Sequence, residues 1–156
     1  MIARVQILFI FASALLFVNE AEINEGALSR IVEGMPEFCS PEILYQIEEY
    51  SKVNLWTLGV LMYILLLGSE PFYEGLGRRG TLQKVITGSK NTDSYSNLTY
   101  SSVDLIERLL TLSAKERIDY LVARDHVWFS MTEHSEKSLP FVQSGLESII
   151  ARITSQ

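Results

Sequence analysis

The sequence predicts a mainly α-helical domain packed around one buried central helix. Three observations point there. The run from Val53 to Leu67 is apolar on nearly every face rather than along one stripe, the pattern of a helix enclosed by protein or lipid. Downstream, four more segments repeat apolar residues at helical spacing, and alternating strand patterns are nearly absent. A chain of 156 residues has room for one modest core.

The elements follow in order. Ile7 to Val18 is almost purely apolar, broken by Ser13, with Arg4 ahead of it and Ala21 just after. It is shorter than the roughly 20 residues of a membrane-spanning helix. Residues 1–21 therefore have three readings: a secretory signal peptide, a short buried segment, or a mistaken gene start. The sequon Asn97-Leu98-Thr99 takes a glycan only in a secreted chain, and such triplets also arise by chance. Glu20 to Glu33 is acidic and weakly patterned, and residues 22–33 read as a linker.

Gly34-Met35-Pro36-Glu37-Phe38-Cys39-Ser40-Pro41-Glu42 holds two prolines and a glycine. It predicts an irregular, extended path that delays any helix until Pro41, from which a short amphipathic turn runs to Gln46. Ser51 is the expected N-cap of the central run, and Gly68, ahead of Pro71, its stop. The shortness of the run, and Asn54 within it, place it in a protein core rather than in lipid. Leu82, Val85 and Ile86 mark the next helix, and Val103, Ile106, Leu109 and Leu110 the one after. Ile118, Leu121 and Val122 begin another that closes on Val127-Trp128-Phe129. Past Pro140, Val142, Leu146, Ile149 and Ile153 give an amphipathic tail helix.

Composition narrows the function classes. Hydrophobic residues at 47% and charged residues at 21% exclude wholesale disorder and a multi-span membrane protein. With 19 acidic against 13 basic residues, a net charge of -6 and no Lys/Arg run, nucleic-acid binding is disfavoured, since it rests on clustered cations. One cysteine, Cys39, and two histidines, His126 and His134, are too few for a disulfide framework or a structural zinc site. Without a neighbouring His or clustered cation, Cys39 reads as a passive thiol. His126 reads as a packed cap residue and His134 as a solvated one.

Four stretches together resemble the C-terminal lobe of a eukaryotic protein kinase. Gly34-Met35-Pro36-Glu37-Phe38 with Ser40-Pro41-Glu42 is similar to the family's G-T-P-E-F and A-P-E at the end of the activation segment. Asn54-Leu55-Trp56-Thr57-Leu58-Gly59-Val60 resembles D-x-W-S-x-G-V, and Gly68-Ser69-Glu70-Pro71-Phe72 resembles G-x-x-P-F. Arg117 and His126-Val127-Trp128-Phe129 resemble the arginine and the H-P-W-F that close the lobe. The P-E-F wording and helical tail resemble calcium/calmodulin-group Ser/Thr kinases of the titin, obscurin and myosin light-chain kinase type.

The resemblance implies a kinase C-lobe over 34–130, with the N-lobe absent and a tail over 131–156. It implies a buried ion pair between Glu42 and Arg117. Asn54, Trp56 and Gly59 fall on the central helix beneath the family's catalytic loop. Met35, Pro36, Glu37 and Phe38 fall where the family receives the substrate residue after the phosphorylated Ser or Thr.

Much of the family's chemistry is missing from these residues. Phosphoryl transfer uses a glycine-rich loop, a strand lysine, the H-R-D Asp, a downstream Asn and the D-F-G Asp. Gly75-Leu76-Gly77-Arg78-Arg79-Gly80 matches the glycine-rich pattern as letters, but follows a helix and a Pro-Phe and lacks the later lysine, so it reads as a surface loop with a basic pair. Arg124-Asp125 copies two letters of H-R-D without its Asn. Glu25-Gly26-Ala27 stands near the D-F-G position without the phenylalanine. Met35 replaces a threonine whose hydroxyl helps organise the catalytic residues, and Asn54 replaces an Asp, keeping an acceptor and losing the charge.

No catalytic, cofactor-binding or metal residue is therefore assigned, although ATP and magnesium serve the full family domain. The expected function is a partial Ser/Thr kinase domain, inactive as this isolated chain. The alternatives are a non-catalytic pseudokinase scaffold and, on the apolar start alone, a small secreted protein. Partners are expected to be proteins, as substrate or binding partner, with no nucleic acid, and membrane contact only through the signal-like start. Localisation is cytoplasmic, or secretory if 1–21 is a signal. The tail has only Lys137 and Arg152, which does not support a basic calmodulin-binding helix.

Overall fold

The computed structural model describes residues 35–47, 51–73, 75 and 77–130. The apolar start, the linker, Glu25 and the tail helix all lie outside them. Among the described residues there are six α-helices, two 3-10 turns and no strand.

The chain enters through a 3-10 turn, Pro36–Phe38, where an extended path was expected. Pro36 explains the difference: its fixed φ suits the first position of a helical turn, and it has no N–H to leave unpaired. The Phe38 N–H donates to the Met35 carbonyl at 3.1 Å and the Cys39 N–H to that of Pro36 at 3.2 Å. Helix α1, Pro41–Leu44, starts on its proline as expected but stops two residues short of Gln46, which takes φ +54 in the left-handed region.

Helix α2, Val53–Leu67, is the central element. Asn54 is exposed, Leu65 and Leu67 are partly so, and the rest are buried. Its N-cap is Lys52 rather than Ser51, with no side-chain capping bond. Gly68 ends it at φ 69, its N–H donating to the Ile64 carbonyl at 2.8 Å. A left-handed end is what a Cβ-free residue accepts without penalty.

Helix α3, Gly77–Thr87, takes Gly77 to Gly80 as its first turn, so the basic pair Arg78-Arg79 is helical, where a loop was expected. Thr81 and Val85, four residues apart, are its buried face. After the Asp93–Asn97 turn, helix α4, Tyr100–Leu109, is capped by Thr99, whose hydroxyl accepts the Ser102 N–H at 3.2 Å. Leu105, Ile106 and Leu109 are fully buried, and α4 packs across α2.

The crossing depends on Gly59. A Cβ there would lie 2.8 Å from both Leu109 Cβ and Leu110 Cδ2, closer than carbon atoms approach. Gly59→Ala should therefore force the helices apart and cost about 1–3 kcal/mol, as overpacking does. Urea denaturation checks this, and an unchanged midpoint at unchanged slope contradicts it.

Helices α5, Tyr120–Arg124, and α6, Val127–Ser130, close the lobe. Here the buried face differs from expectation. Leu121 and Val122 are 60% and 54% exposed, while Ala123 is fully buried. The 118, 121, 122 spacing needs a helix already running at Ile118, but Ile118 lies in the preceding loop and α5 starts at Tyr120. No described helix is long and apolar enough to cross a membrane.

Candidate functional site

The polar centre of the lobe is Arg117. A guanidinium has five N–H donors, and here all five are used. Nη1 donates to Glu42 Oε1 at 2.6 Å and to the Lys52 carbonyl at 2.9 Å. Nη2 donates to Glu42 Oε2 at 2.9 Å and to the Leu112 carbonyl at 3.4 Å, and Nε to the Thr111 carbonyl at 3.0 Å. The guanidinium carbon sits 5.1 Å from the centre of the Trp56 ring, within cation–π range. Arg117 and Glu42 are both buried. One side chain thus fastens α1, the start of α2 and the loop after α4.

Lys52 completes the knot and was not singled out by sequence. Its Nζ donates to the Arg117 carbonyl at 2.6 Å and pairs with Asp119 at 3.0 Å, while its own carbonyl accepts from Arg117. Each residue's side chain therefore holds the other's backbone. Lys52 gave no signal, because a lysine before an apolar run reads as a solvated flank.

Trp56 links this knot to the entry turn. Its indole N–H donates to the Glu37 carbonyl at 3.2 Å, and its ring stacks on Phe72 at 5.5 Å and 4°. The Thr57 hydroxyl lies 3.4 Å from both the Phe38 and Val53 carbonyls. Among the residues assigned to substrate contact by resemblance, Pro36, Glu37 and Phe38 are buried and Met35 is half-buried. Ser40 is fully buried, and its hydroxyl has no hydrogen-bond partner among the described residues. Burial, with the Glu37 charge behind it, pushes the Cys39 thiol up to about 12, so the thiolate is suppressed and the residue is inert packing.

The two central-helix residues Trp56 and Gly59 sit in the core, whereas Asn54 faces outward. At the far end of the lobe, His126 Nδ1 accepts the Trp128 N–H at 3.2 Å, which leaves Nε2 as the protonated nitrogen donating to Asp104 Oδ2 at 2.9 Å. That bond, with a second from Arg108, holds the Asp104 carboxyl below the usual range. His126 is thus a cap that ties α6 to α4. No described cluster of His, Cys, Asp or Glu could hold a metal ion.

Comparison with known proteins agrees with this geometry. The protein kinase domain family model matches residues 17–129, beginning within the stretch set apart above as apolar segment and linker. Calcium/calmodulin-dependent protein kinase type IV of Mus musculus is 28% identical over 142 residues, covering 84% of this chain and 30% of that protein. The human CaM kinase-like vesicle-associated protein is 30% identical over 124 residues, covering 74% of this chain and 25% of that protein.

Among solved structures, the twitchin kinase region from C. elegans superposes with a TM-score of 0.64 at 25% identity, covering 78% of this chain and 22% of that one. The autoinhibited serine kinase domain of titin shares the fold at a TM-score of 0.57 and 20% identity, covering 71% of this chain and 36% of that one. The chain spans about a third or less of the curated relatives named. By the family match, and by the Glu42–Arg117 pair and Trp56 stack that organise its helices, this chain belongs to the protein kinase domain family.

Proposed function

We propose that this chain is the helical C-lobe part of a Ser/Thr protein kinase domain, serving ATP-dependent phosphorylation of protein Ser or Thr as a structural platform. The observation that supports this most is the saturated Arg117 site. It joins the end of the activation-segment motif, at Glu42, to the central helix and the closing loop. A fold that holds Met35–Phe38 against Trp56 keeps the substrate-side loop in a fixed place. Protein substrates and a cytoplasmic setting go with this reading.

The isolated chain, in this reading, neither binds ATP nor transfers phosphate, because the phosphate-cradling and magnesium-holding motifs are missing from its residues. Calorimetric titration with magnesium-ATP should show no binding. A dissociation constant below about 100 μM, roughly 5.5 kcal/mol of binding, would overturn the claim.

A second reading is a pseudokinase scaffold, favoured by Met35 and Asn54 standing where the family has Thr and Asp. Transcript mapping upstream of Gly34 separates the two. In-frame H-R-D and D-F-G codons spliced to Gly34 support the kinase reading, and a transcript that starts at Met1 supports the scaffold.

A further inference from the structure

Helix α6, Val127–Ser130, has no fully buried residue and is the element at which the described lobe ends. It is held to the lobe by the half-buried rings of Trp128 and Phe129, which meet edge to face at 4.9 Å beside the core, and by His126, the residue before it. The His126 carbonyl accepts the Phe129 N–H at 3.0 Å, and its ring Nδ1 accepts the Trp128 N–H at 3.2 Å. Helix caps are usually the side-chain oxygens of Ser, Thr, Asp or Asn, which remain acceptors near neutral pH. Here the acceptor is a ring nitrogen, and it accepts only in the neutral imidazole.

The other side of the ring faces a carboxylate. Nε2 lies 2.9 Å from Asp104 Oδ2, and the same oxygen takes Arg108 Nε at 2.9 Å. The His126 side chain is 8% exposed, so both of its bonds are largely shielded from water. The bond from His126, with a second from Arg108, holds the Asp104 carboxyl below the usual range, so it stays ionised near neutral pH. On α4, against which α6 packs, the charged groups facing the ring are thus Asp104 and Arg108. On α5 and its cap, Arg124 and Asp125 are exposed and paired with each other at 2.8 Å. Helix α6 itself carries no titratable side chain.

We infer that His126 is a proton-operated latch: a proton taken from solvent onto Nδ1 turns the cap of α6 from acceptor into donor and releases α6, while the ring stays bound to Asp104. In the charged ring, Nδ1–H and the Trp128 N–H face each other as two donors with no acceptor between them. The opposite contact gains, because an imidazolium N–H on a carboxylate is charge-assisted and roughly twice as strong as a neutral bond. Neutral His126 therefore joins α6 to α4, and charged His126 holds α4 alone. Asp104 draws the proton onto the ring, whereas Arg108 and the Trp128 N–H resist it. The Arg124–Asp125 pair, with its charges matched, adds little net field. Histidine is the side chain that changes charge between about pH 5 and 8, so the latch works near physiological pH. The inference needs no phosphate transfer and does not rest on the kinase reading.

The test is amide hydrogen exchange of the whole chain, read by NMR between about pH 8 and pH 5 as protection relative to the intrinsic rate at each pH, with the His126 ring protons followed in the same samples. Protection of the Trp128 amide should fall about fivefold or more, the size of losing one helix cap, with the midpoint of the His126 ring titration. The Gly59 amide in α2 should keep its protection. His126→Asn places a non-titrating acceptor at the cap, so its Trp128 amide should be equally protected at both ends of the range. Asp104→Asn removes the carboxylate that favours the charged ring, and should move the transition to lower pH. Trp128 protection that does not change while the ring titrates overturns the inference, as does the same fall in His126→Asn. An equal fall at Gly59 overturns it too, because the whole lobe would then be opening. Should His126→Asn not fold, the parent decides: ring and Trp128 midpoints that differ contradict the latch. Magnesium-ATP binding by the chain would defeat the proposed function and leave every one of these outcomes as it stands.

Discussion

Arg117→Ala lowers stability by about 3–5 kcal/mol, the usual cost of breaking a buried ion pair by removing one partner. The loss has a specific origin. Alanine strands the Glu42 carboxylate, which is buried and has both oxygens on Arg117, and it frees the Lys52, Thr111 and Leu112 carbonyls at once. Because a domain's whole stability is about 5–15 kcal/mol, the variant should be largely unfolded well below the parent's melting temperature. Arg124→Ala is the control. Its partner Asp125 is its exposed neighbour in sequence, and exposed pairs contribute little. Circular dichroism melts of the two variants check the contrast, and equal melting temperatures contradict it.

Trp56→Ala should cost about 3–5 kcal/mol, the range for deleting a large buried aromatic side chain. Trp56 is fully buried, stacks on Phe72, lies under the Arg117 guanidinium and donates to the Glu37 carbonyl. Deleting it leaves a cavity at the junction of α2, the entry turn and the Gly68–Phe72 stretch. Trp56→Phe should recover most of the packing but not the hydrogen bond, and so fall between parent and alanine variant. Urea denaturation of the three proteins reads this order. An alanine variant as stable as the phenylalanine variant contradicts the packing account.

The parts of the fold that were legible in sequence were those where a residue type allows few alternatives. A run of fifteen residues that is apolar on nearly every face and is followed by glycine can be little other than a buried helix, and Val53–Leu67 is one, with Asn54 exposed near its start. Glu42 and Arg117, 75 residues apart, carried no local pattern that could join them; the pairing was visible only through family resemblance.

Local patterns misled where tertiary packing or a single dihedral decided. Pro36 turned an expected extended stretch into a 3-10 turn. The late start of α5 put Leu121 and Val122 outside and Ala123 inside. Residues 75–80 read as a surface loop because they follow a helix and a Pro-Phe, whereas Gly77 at φ 66 opens a helix. Lys52 was invisible because its role comes from a backbone carbonyl 65 residues away.

The central claim is that one buried pair organises this lobe, and a double-mutant cycle on Glu42 and Arg117 tests it most directly. The urea stabilities of Glu42→Ala, Arg117→Ala and the double variant are compared with the parent. The double variant removes both charges and strands neither, so its loss should fall short of the summed single losses by about 0.5–3 kcal/mol. Losses that add to within about 0.3–0.5 kcal/mol would show two independent residues and contradict the claim.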